Sequence, residues 1–171
     1  MLIAKSKQLK AIFVQIPYVK NFIIAIGFLS LLAGCTTLDV YEKTVFFPKH
    51  EWSSSEKPSF SFIIEDTTVQ YNLLISFRHE DAYRYNNLWL KVTTQAPGDS
   101  ARTQQLNLTL ANKNGWLGTG MDDIFDHRIR ITGAPVRLKK GTYTFILQQD
   151  MREDPLQYVL NAGIRVEKAI P

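Results

Sequence analysis

Beyond residue 58, apolar and polar residues alternate with a period of two, and turn-forming residues separate the alternating stretches. That period puts successive side chains on opposite faces of an extended strand, one apolar and one polar. Ser59-Phe60-Ser61-Phe62-Ile63-Ile64 is the first such stretch and stops at Glu65-Asp66-Thr67. Tyr71 to Phe77 sets Leu73, Ile75 and Phe77 on one face. Leu88 to Thr93 does the same with Leu88, Leu90 and Val92, before the turn Pro97-Gly98-Asp99-Ser100. Leu106, Leu108 and Leu110 alternate with Asn107 and Thr109, and Ile129–Ile131 and Val136–Leu138 flank Gly133-Ala134-Pro135. Past Lys139-Lys140-Gly141, Tyr143, Phe145 and Leu147 share a face, and Ile164 and Val166 end the pattern with Arg165 and Glu167 outward. Helical signals are confined to one turn at Asp122–Asp126 and another at Leu156–Leu160 after Pro155. Many short alternating strands predict an all-β chain: a single antiparallel β-sandwich, either jelly-roll or immunoglobulin-like. The order of its strands is not written in the pattern.

The first 34 residues follow another rule. Phe22 to Gly34 is an apolar run preceded by Lys20 and Asn21 and interrupted upstream by Pro17, too short for a bilayer-spanning helix of about 20 apolar residues. A cationic start, a short apolar stretch and a small-residue end make residues 1–34 a secretory signal peptide. Translation from Val19 would give a leader of conventional length and the same mature protein. Leu32-Ala33-Gly34-Cys35 looks like a bacterial lipobox, in which the cysteine thiol receives diacylglycerol and becomes the first mature residue. Cys35 is the only cysteine of the chain, and an unpaired thiol in an exported protein calls for a role that lipidation supplies. Several acyl chains, palmitate among them, at about 0.8 kcal/mol per buried CH₂ hold a protein durably where one chain is marginal. Residues 35–58, polar and broken by Pro48 and Pro58, read as the lipidated tether and lead-in segment, leaving 59–171 as the sandwich domain.

Charge narrows the partners. Four of the 20 Lys and Arg precede Cys35, so the mature chain carries 16 basic against 16 acidic residues. A nucleic-acid binder needs its cation excess on the folded body, and this body has none. His50, His79 and His127 are far apart in the chain and show no metal-ligand spacing. Asp122, Asp123 and Asp126 lack the alternate spacing of a calcium loop and suit the start of a short helix, where carboxylates cap backbone N–H groups. There is no Gly-x-Ser-x-Gly elbow, and Gly115-Trp116-Leu117-Gly118-Thr119-Gly120 lacks the lysine and third-glycine spacing of a phosphate loop. The expectation is a protein without catalytic residues, cofactor, metal or small-molecule substrate. Tyr83, Tyr85, Trp89 and Trp116 are candidates for a sugar platform, though aromatic strand residues more often pack with a hydrogen-bonded polar tip. Trp89 falls opposite the aliphatic face of its strand, which marks it, with Trp116 and Tyr85, as a candidate partner contact.

Three stretches together resemble the gliding-motility lipoprotein GldH family of the Bacteroidetes. They are Tyr71-Asn72-Leu73-Leu74-Ile75-Ser76-Phe77-Arg78 running on to Tyr83-x-Tyr85-x-Asn87-Leu88-Trp89-Leu90; Gly115-Trp116-Leu117-Gly118-x-Gly120 with Asp123-Ile124; and Gly141-Thr142-Tyr143-Thr144-Phe145 with Gln149, Met151-Arg152 and Gly163-Ile164-Arg165-Val166. Pro155 is a departure that shortens the segment after Met151-Arg152. The resemblance implies an envelope lipoprotein needed for gliding and for type IX protein secretion, acting through envelope proteins of that machinery and a bilayer rather than through an enzymatic activity. It also makes Thr67, in Asp66-Thr67-Thr68, and Ser100, in Asp99-Ser100-Ala101, candidates for O-glycosylation. Cys35-Thr36-Thr37-Leu38-Asp39 lacks the run of acids that resembles a surface-export signal in such bacteria, which implies an outer-membrane lipoprotein with its body facing the periplasm. The alternative is a carbohydrate-binding lipoprotein serving polysaccharide uptake.

Overall fold

The computed structural model describes residues 39–169. Residues 1–34, expected to be a signal peptide, and Cys35 lie outside them. Thirteen strands and no helix make up the described residues. The eight that build the body are β1 (Asp39–Phe46), β3 (Ser59–Ile64), β4 (Tyr71–Glu80), β5 (Asn87–Gln95), β6 (Arg102–Thr109), β10 (Ile124–Arg130), β11 (Gly141–Gln149) and β13 (Val159–Lys168). The short ones are β2 (Glu51–Trp52), β7 (Ala111–Asn112), β8 (Gly115–Trp116), β9 (Thr119–Met121) and β12 (Leu156–Gln157).

Two sheets hold the long strands, ordered β1-β13-β4-β10-β9 and β3-β11-β5-β6, and every pairing is antiparallel. Counting the eight long strands along the chain, the first sheet holds the first, eighth, third and sixth, and the second sheet the second, seventh, fourth and fifth. That interleaving is the jelly-roll order and not the immunoglobulin one.

The alternation read from the sequence is what fills the space between the sheets. Phe60, Phe62 and Ile64 of β3, Leu73, Ile75 and Phe77 of β4, Leu88, Leu90 and Val92 of β5, Tyr143, Phe145 and Leu147 of β11, and Ile164 and Val166 of β13 are all buried. Rings bind the layers together: Tyr41 of β1 lies 5.3 Å from Phe62 of β3, and Phe62 stacks on Tyr143 and Phe145 at 5.7 Å each. Each buried Leu, Ile or Phe is worth about 1.5–3 kcal/mol of transfer free energy, so this stripe pattern supplies the driving force for sheet-on-sheet packing.

Three expectations are corrected. The segment 35–58 is not a tether throughout: Asp39–Phe46 forms β1, in register with β13 from Tyr41↔Val166 to Phe46↔Asn161. Its alternation is weak because Glu42, Lys43 and Thr44 are all exposed, and only Tyr41 and Val45 pack on the core. Asp122–Asp126 is not a helical turn. Asp122 takes a positive φ of 54° in the tight turn joining β9 to β10, and Ile124 onward pairs with Glu80 and its neighbours on β4. Leu156–Leu160 is not helical either. Leu156 pairs with Trp52, both fully buried, and β13 begins at Val159 after Tyr158 turns the backbone at φ 65°. At Leu156 burial against Trp52 outcompetes the local helix signal, and at 122–126 the ladder of β10 with β4 and β9 does so without burying the turn.

The ends of the sandwich differ. At one end lie the start of β1, the β3–β4 loop with Thr67 and the β5–β6 turn with Ser100. The β9–β10 turn, opposite Glu80 at the end of β4, lies at the other.

Candidate functional site

The distinctive Gly115–Gly120 stretch builds the β9–β10 end. Gly115 sits at φ +112°, a conformation that L side chains rarely adopt, and lets β7 turn tightly into β8. At Gly118 an added Cβ would stand 2.6 Å from the Asp126 carbonyl oxygen and 2.9 Å from the His127 ring; at Gly120 it would stand 2.8 Å from the Phe125 ring. The glycines therefore have a steric reason: without side chains, the segment from β8 to β9 lies flat on β10. Trp116, between them, turns its indole inward against His79, with ring centroids 4.4 Å apart, and its N–H donates to Asp81 Oδ1 at 2.8 Å.

Beneath it sits a pair that sequence spacing hides. His79 and His127 are 48 positions apart, yet β4 and β10 are neighbours, and their Nε2 atoms meet at 3.0 Å with both rings buried. His79 Nδ1 lies 2.7 Å from the Glu80 carbonyl oxygen, which only accepts, so that nitrogen carries the proton. A neutral His79 then offers Nε2 as acceptor, and His127 Nε2–H donates to it. Burial holds both imidazoles below the ordinary histidine range, and for His127 the neighbouring His79 adds to it, bringing it down to about 4. The pair is neutral at pH 7. Phe77, Tyr83, Trp116 and Phe125 surround His79, and burial raises the Tyr83 phenol, whose hydroxyl donates to the Asn87 carbonyl at 3.0 Å. Among the described residues no third His, Cys, Asp or Glu completes a metal-ligand set.

Outside this packed cluster the surface changes character. A cleft of about 550 Å³ is lined by Arg78, Asp126 and Arg128 on the sheet and by Leu117, Met121 and Ile124 at its rim. Met121 is 77% exposed, Leu117 54% and Ile124 37%. Three exposed apolar side chains beside an ion pair, Arg78 Nε to Asp126 Oδ2 at 3.1 Å, combine apolar surface with charged groups as protein contacts do. A second cleft, about 210 Å³, continues along the outer sheet face past Ser76, Thr44 and Glu42.

The other candidates fall as follows. Cys35 lies outside the described residues. Tyr85 is half-buried against Tyr83, and Trp116 is half-buried in the histidine cluster. Trp89 projects from the outer face of β5 and is 38% exposed. The four aromatics do not form one platform: ring contacts join Tyr83 to Tyr85 and Trp116, and none includes Trp89. Asp122 and Asp123 are in the β9–β10 turn, and Asp126 pairs with Arg78 instead of capping a helix. His50 meets Glu80 at the surface. Thr67 and Ser100 are exposed. The residues that sequence reasoning missed are Leu117, Met121 and Ile124. The signal available was an apolar residue on each side of a tight turn too short to bury either.

Comparison with known proteins bears on the whole described body. The family described as GldH lipoprotein matches residues 39–166, from the first residue of β1 almost to the end of β13. A protein of Christiangramia forsetii named gliding motility lipoprotein GldH homolog is 27% identical over 147 residues, covering 81% of this chain and 90% of that one. The gliding motility lipoprotein GldH of Flavobacterium johnsoniae is 28% identical over 125 residues, covering 68% and 77%. A chain in the structure of infectious bursal disease virus Gx strain aligns with 78% of this chain at a TM-score of 0.27 and 14% identity, too distant to support a shared fold. The glycine-spaced segment that seals the histidine pair, the jelly-roll strands on either side of it and the match across residues 39–166 converge, and this chain belongs to the GldH lipoprotein family.

Proposed function

We propose that this protein is a gliding-motility lipoprotein of the cell envelope, a non-enzymatic assembly component that docks proteins of the motility and type IX secretion machinery through its β9–β10 end. The observation that carries the docking reading is the cluster of Leu117, Met121 and Ile124, exposed around the 550 Å³ cleft and built by the glycine-spaced segment. Membership of the lipoprotein family and the lipobox sequence support acylation of Cys35. The secretion role is supported by the family resemblance alone.

Four peptide steps separate Cys35 from Asp39, at most about 14 Å of chain. Within the sandwich, Thr67 and Ser100 lie at the end where β1 starts and the apolar patch lies at the other. Lipidation confines the domain to one surface and raises its effective concentration for partners there. The sequence after Cys35 supports an outer-membrane location with the body in the periplasm.

Two measurements test this. Cys35→Ser should shift the protein from the membrane to the soluble fraction; unchanged fractionation removes the anchor. The double variant Leu117→Asp with Met121→Asp should stay folded and membrane-bound yet lose its partners in a pull-down from native membranes and impair spreading on agar. Retention of both by a folded double variant rejects the patch. Digestion of the body by protease added to intact cells rejects the periplasmic orientation.

A further inference from the structure

The three tryptophans of the chain are treated differently by the fold. Trp52 is buried and its indole N–H donates to the Glu56 carbonyl at 2.9 Å. Trp116 packs on His79 and donates to Asp81. Trp89 alone among the described residues is a tryptophan with no ring contact and no acceptor for its indole N–H. Its backbone is firmly held: its N–H points to Met151 Sδ at 3.2 Å, and its carbonyl accepts from Asp150 N at 2.9 Å. An indole on a held backbone, 38% exposed and with its N–H uncommitted, is a binding element without a ligand.

Its surroundings say which ligand. The sheet β3-β11-β5-β6 pairs without a bulge across all three junctions, so its outer face is continuous. Neutral polar groups cover most of it, and Ile63, 58% exposed, stands apart from Trp89 on the edge strand β3. Ser61 and Thr144 hydroxyls meet at 3.0 Å, Thr93 and Thr103 at 2.8 Å, and Asn87 Nδ2 donates to Asn107 Oδ1 at 2.7 Å. Asn107 stands directly across from Trp89 on β6, and Asn87 and Lys91 flank it along β5. Lys91 is neutralised by Asp150 at 2.6 Å, and Gln105 donates to the other oxygen of the same carboxylate. Each amide keeps spare capacity: Asn87 retains its carbonyl oxygen, Asn107 its NH₂ and Gln105 its carbonyl oxygen.

We propose that the outer face of this sheet binds an uncharged polysaccharide, with Trp89 stacked on a pyranose ring and Asn87, Asn107 and Gln105 hydrogen-bonding its hydroxyls. A sugar ring presents an apolar C–H face to the indole and equatorial hydroxyls to planar side chains that both donate and accept. Other occupants fit worse. A protein contact wants a contiguous apolar centre, which this face lacks and the β9–β10 end has. A nucleic acid or other polyanion wants uncompensated cations, and the lysine beside Trp89 is already paired. The site is independent of the docking patch, being built on the other sheet.

The test is native affinity electrophoresis of the full lipoprotein in detergent, through gels containing soluble β-glucan, xylan, galactomannan or dextran, with indole fluorescence titration of any glycan that retards it. At least one of the four should retard the wild type. Trp89→Ala should weaken that binding roughly tenfold or more, the loss expected for one stacked aromatic. Trp89→Tyr should retain a measurable part of it, and Asn107→Ala should weaken it several-fold. Leu117→Asp should bind the glycan like the wild type. The proposal is overturned if none of the four glycans retards the wild type, or if Trp89→Ala binds as well as the wild type. Loss of binding in Leu117→Asp also overturns it, since that would move the site to the other sheet. Should Trp89→Ala fail to fold, judged by its thermal midpoint, Trp89→Tyr and Asn107→Ala decide between the same outcomes.

Discussion

The buried pair His79 and His127 is the most chemically loaded point of the molecule, and its consequence is a pH dependence with a fixed sign. Burial lowers the folded-state affinity of both rings for protons, and His127 titrates near 4 when folded against an ordinary value of 6.5. The unfolded chain therefore binds protons first as the solution is acidified. Stability from the neutral pair is fully present above pH 6.5 and is lost as pH falls toward 4, by an amount of order 2 kcal/mol. Urea midpoints measured from pH 7.5 to 4.5 should fall, and His127→Phe should flatten that slope by removing the ring that titrates. An unchanged slope in a folded His127→Phe variant would mean that other groups set the acid sensitivity. Trp89 gives the opposite kind of prediction. It projects from the outer face of β5 and is not part of the buried core, so Trp89→Ala should move the thermal midpoint little. The sequence marked Trp89 correctly as facing away from the aliphatic side of its strand, because strand alternation is local. It left His79 and His127 unconnected, because their contact exists only once β4 and β10 pair.

At the scale of the element, Gly163 and Gly118 act through space rather than flexibility. A Cβ on Gly163 would strike the Lys43 carbonyl oxygen and stand 2.6 Å from Thr44 Cα, backbone atoms that cannot rotate away. Gly163 is thus what lets β1 lie against β13, and Gly163→Ala should cost about 1–3 kcal/mol and loosen the edge strand. Faster amide exchange over residues 41–46, with little change in β11, would be its signature. Gly118→Ala meets the Asp126 carbonyl in the same way and should lift the segment from β8 to β9 off His127, exposing the pair. Near-ultraviolet circular dichroism of Trp116 checks it, and a spectrum identical to the wild type would show that the close approach is not needed. Strands β3, β4, β5 and β11 were legible in the sequence because both layers bury one face of each. Strand β1 was not, since Glu42, Lys43 and Thr44 stand in a row at its middle and only Tyr41 and Val45 pack on the core. The one-turn helices expected at 122–126 and 156–160 failed because strand pairings supplied hydrogen bonds that no local pattern announces, joined at Leu156 by burial against Trp52.

The whole molecule separates its surfaces by position. β1 begins four residues after the candidate acyl anchor, the apolar patch occupies the far end, and the neutral polar face with Trp89 covers the second sheet. A variant combining Trp89→Ala with Leu117→Asp and Met121→Asp should lose glycan retardation and partner capture together, each to the extent seen in the separate variants, because the two sites share no residue. Greater than additive loss would mean that one surface depends on the other. The amino-acid sequence alone determined the all-β class, the inward residues of strands such as β4, β5 and β11, and the charge balance from Cys35 onward, since each rests on composition or on neighbours within a few positions. Tertiary structure decided the jelly-roll order over the immunoglobulin one, the entry of residues 39–46 into the body, the meeting of two distant histidines and the exposure of Leu117, Met121 and Ile124. All of these depend on which strands lie side by side, and a period of two tells a strand which face is apolar without telling it who its neighbour is.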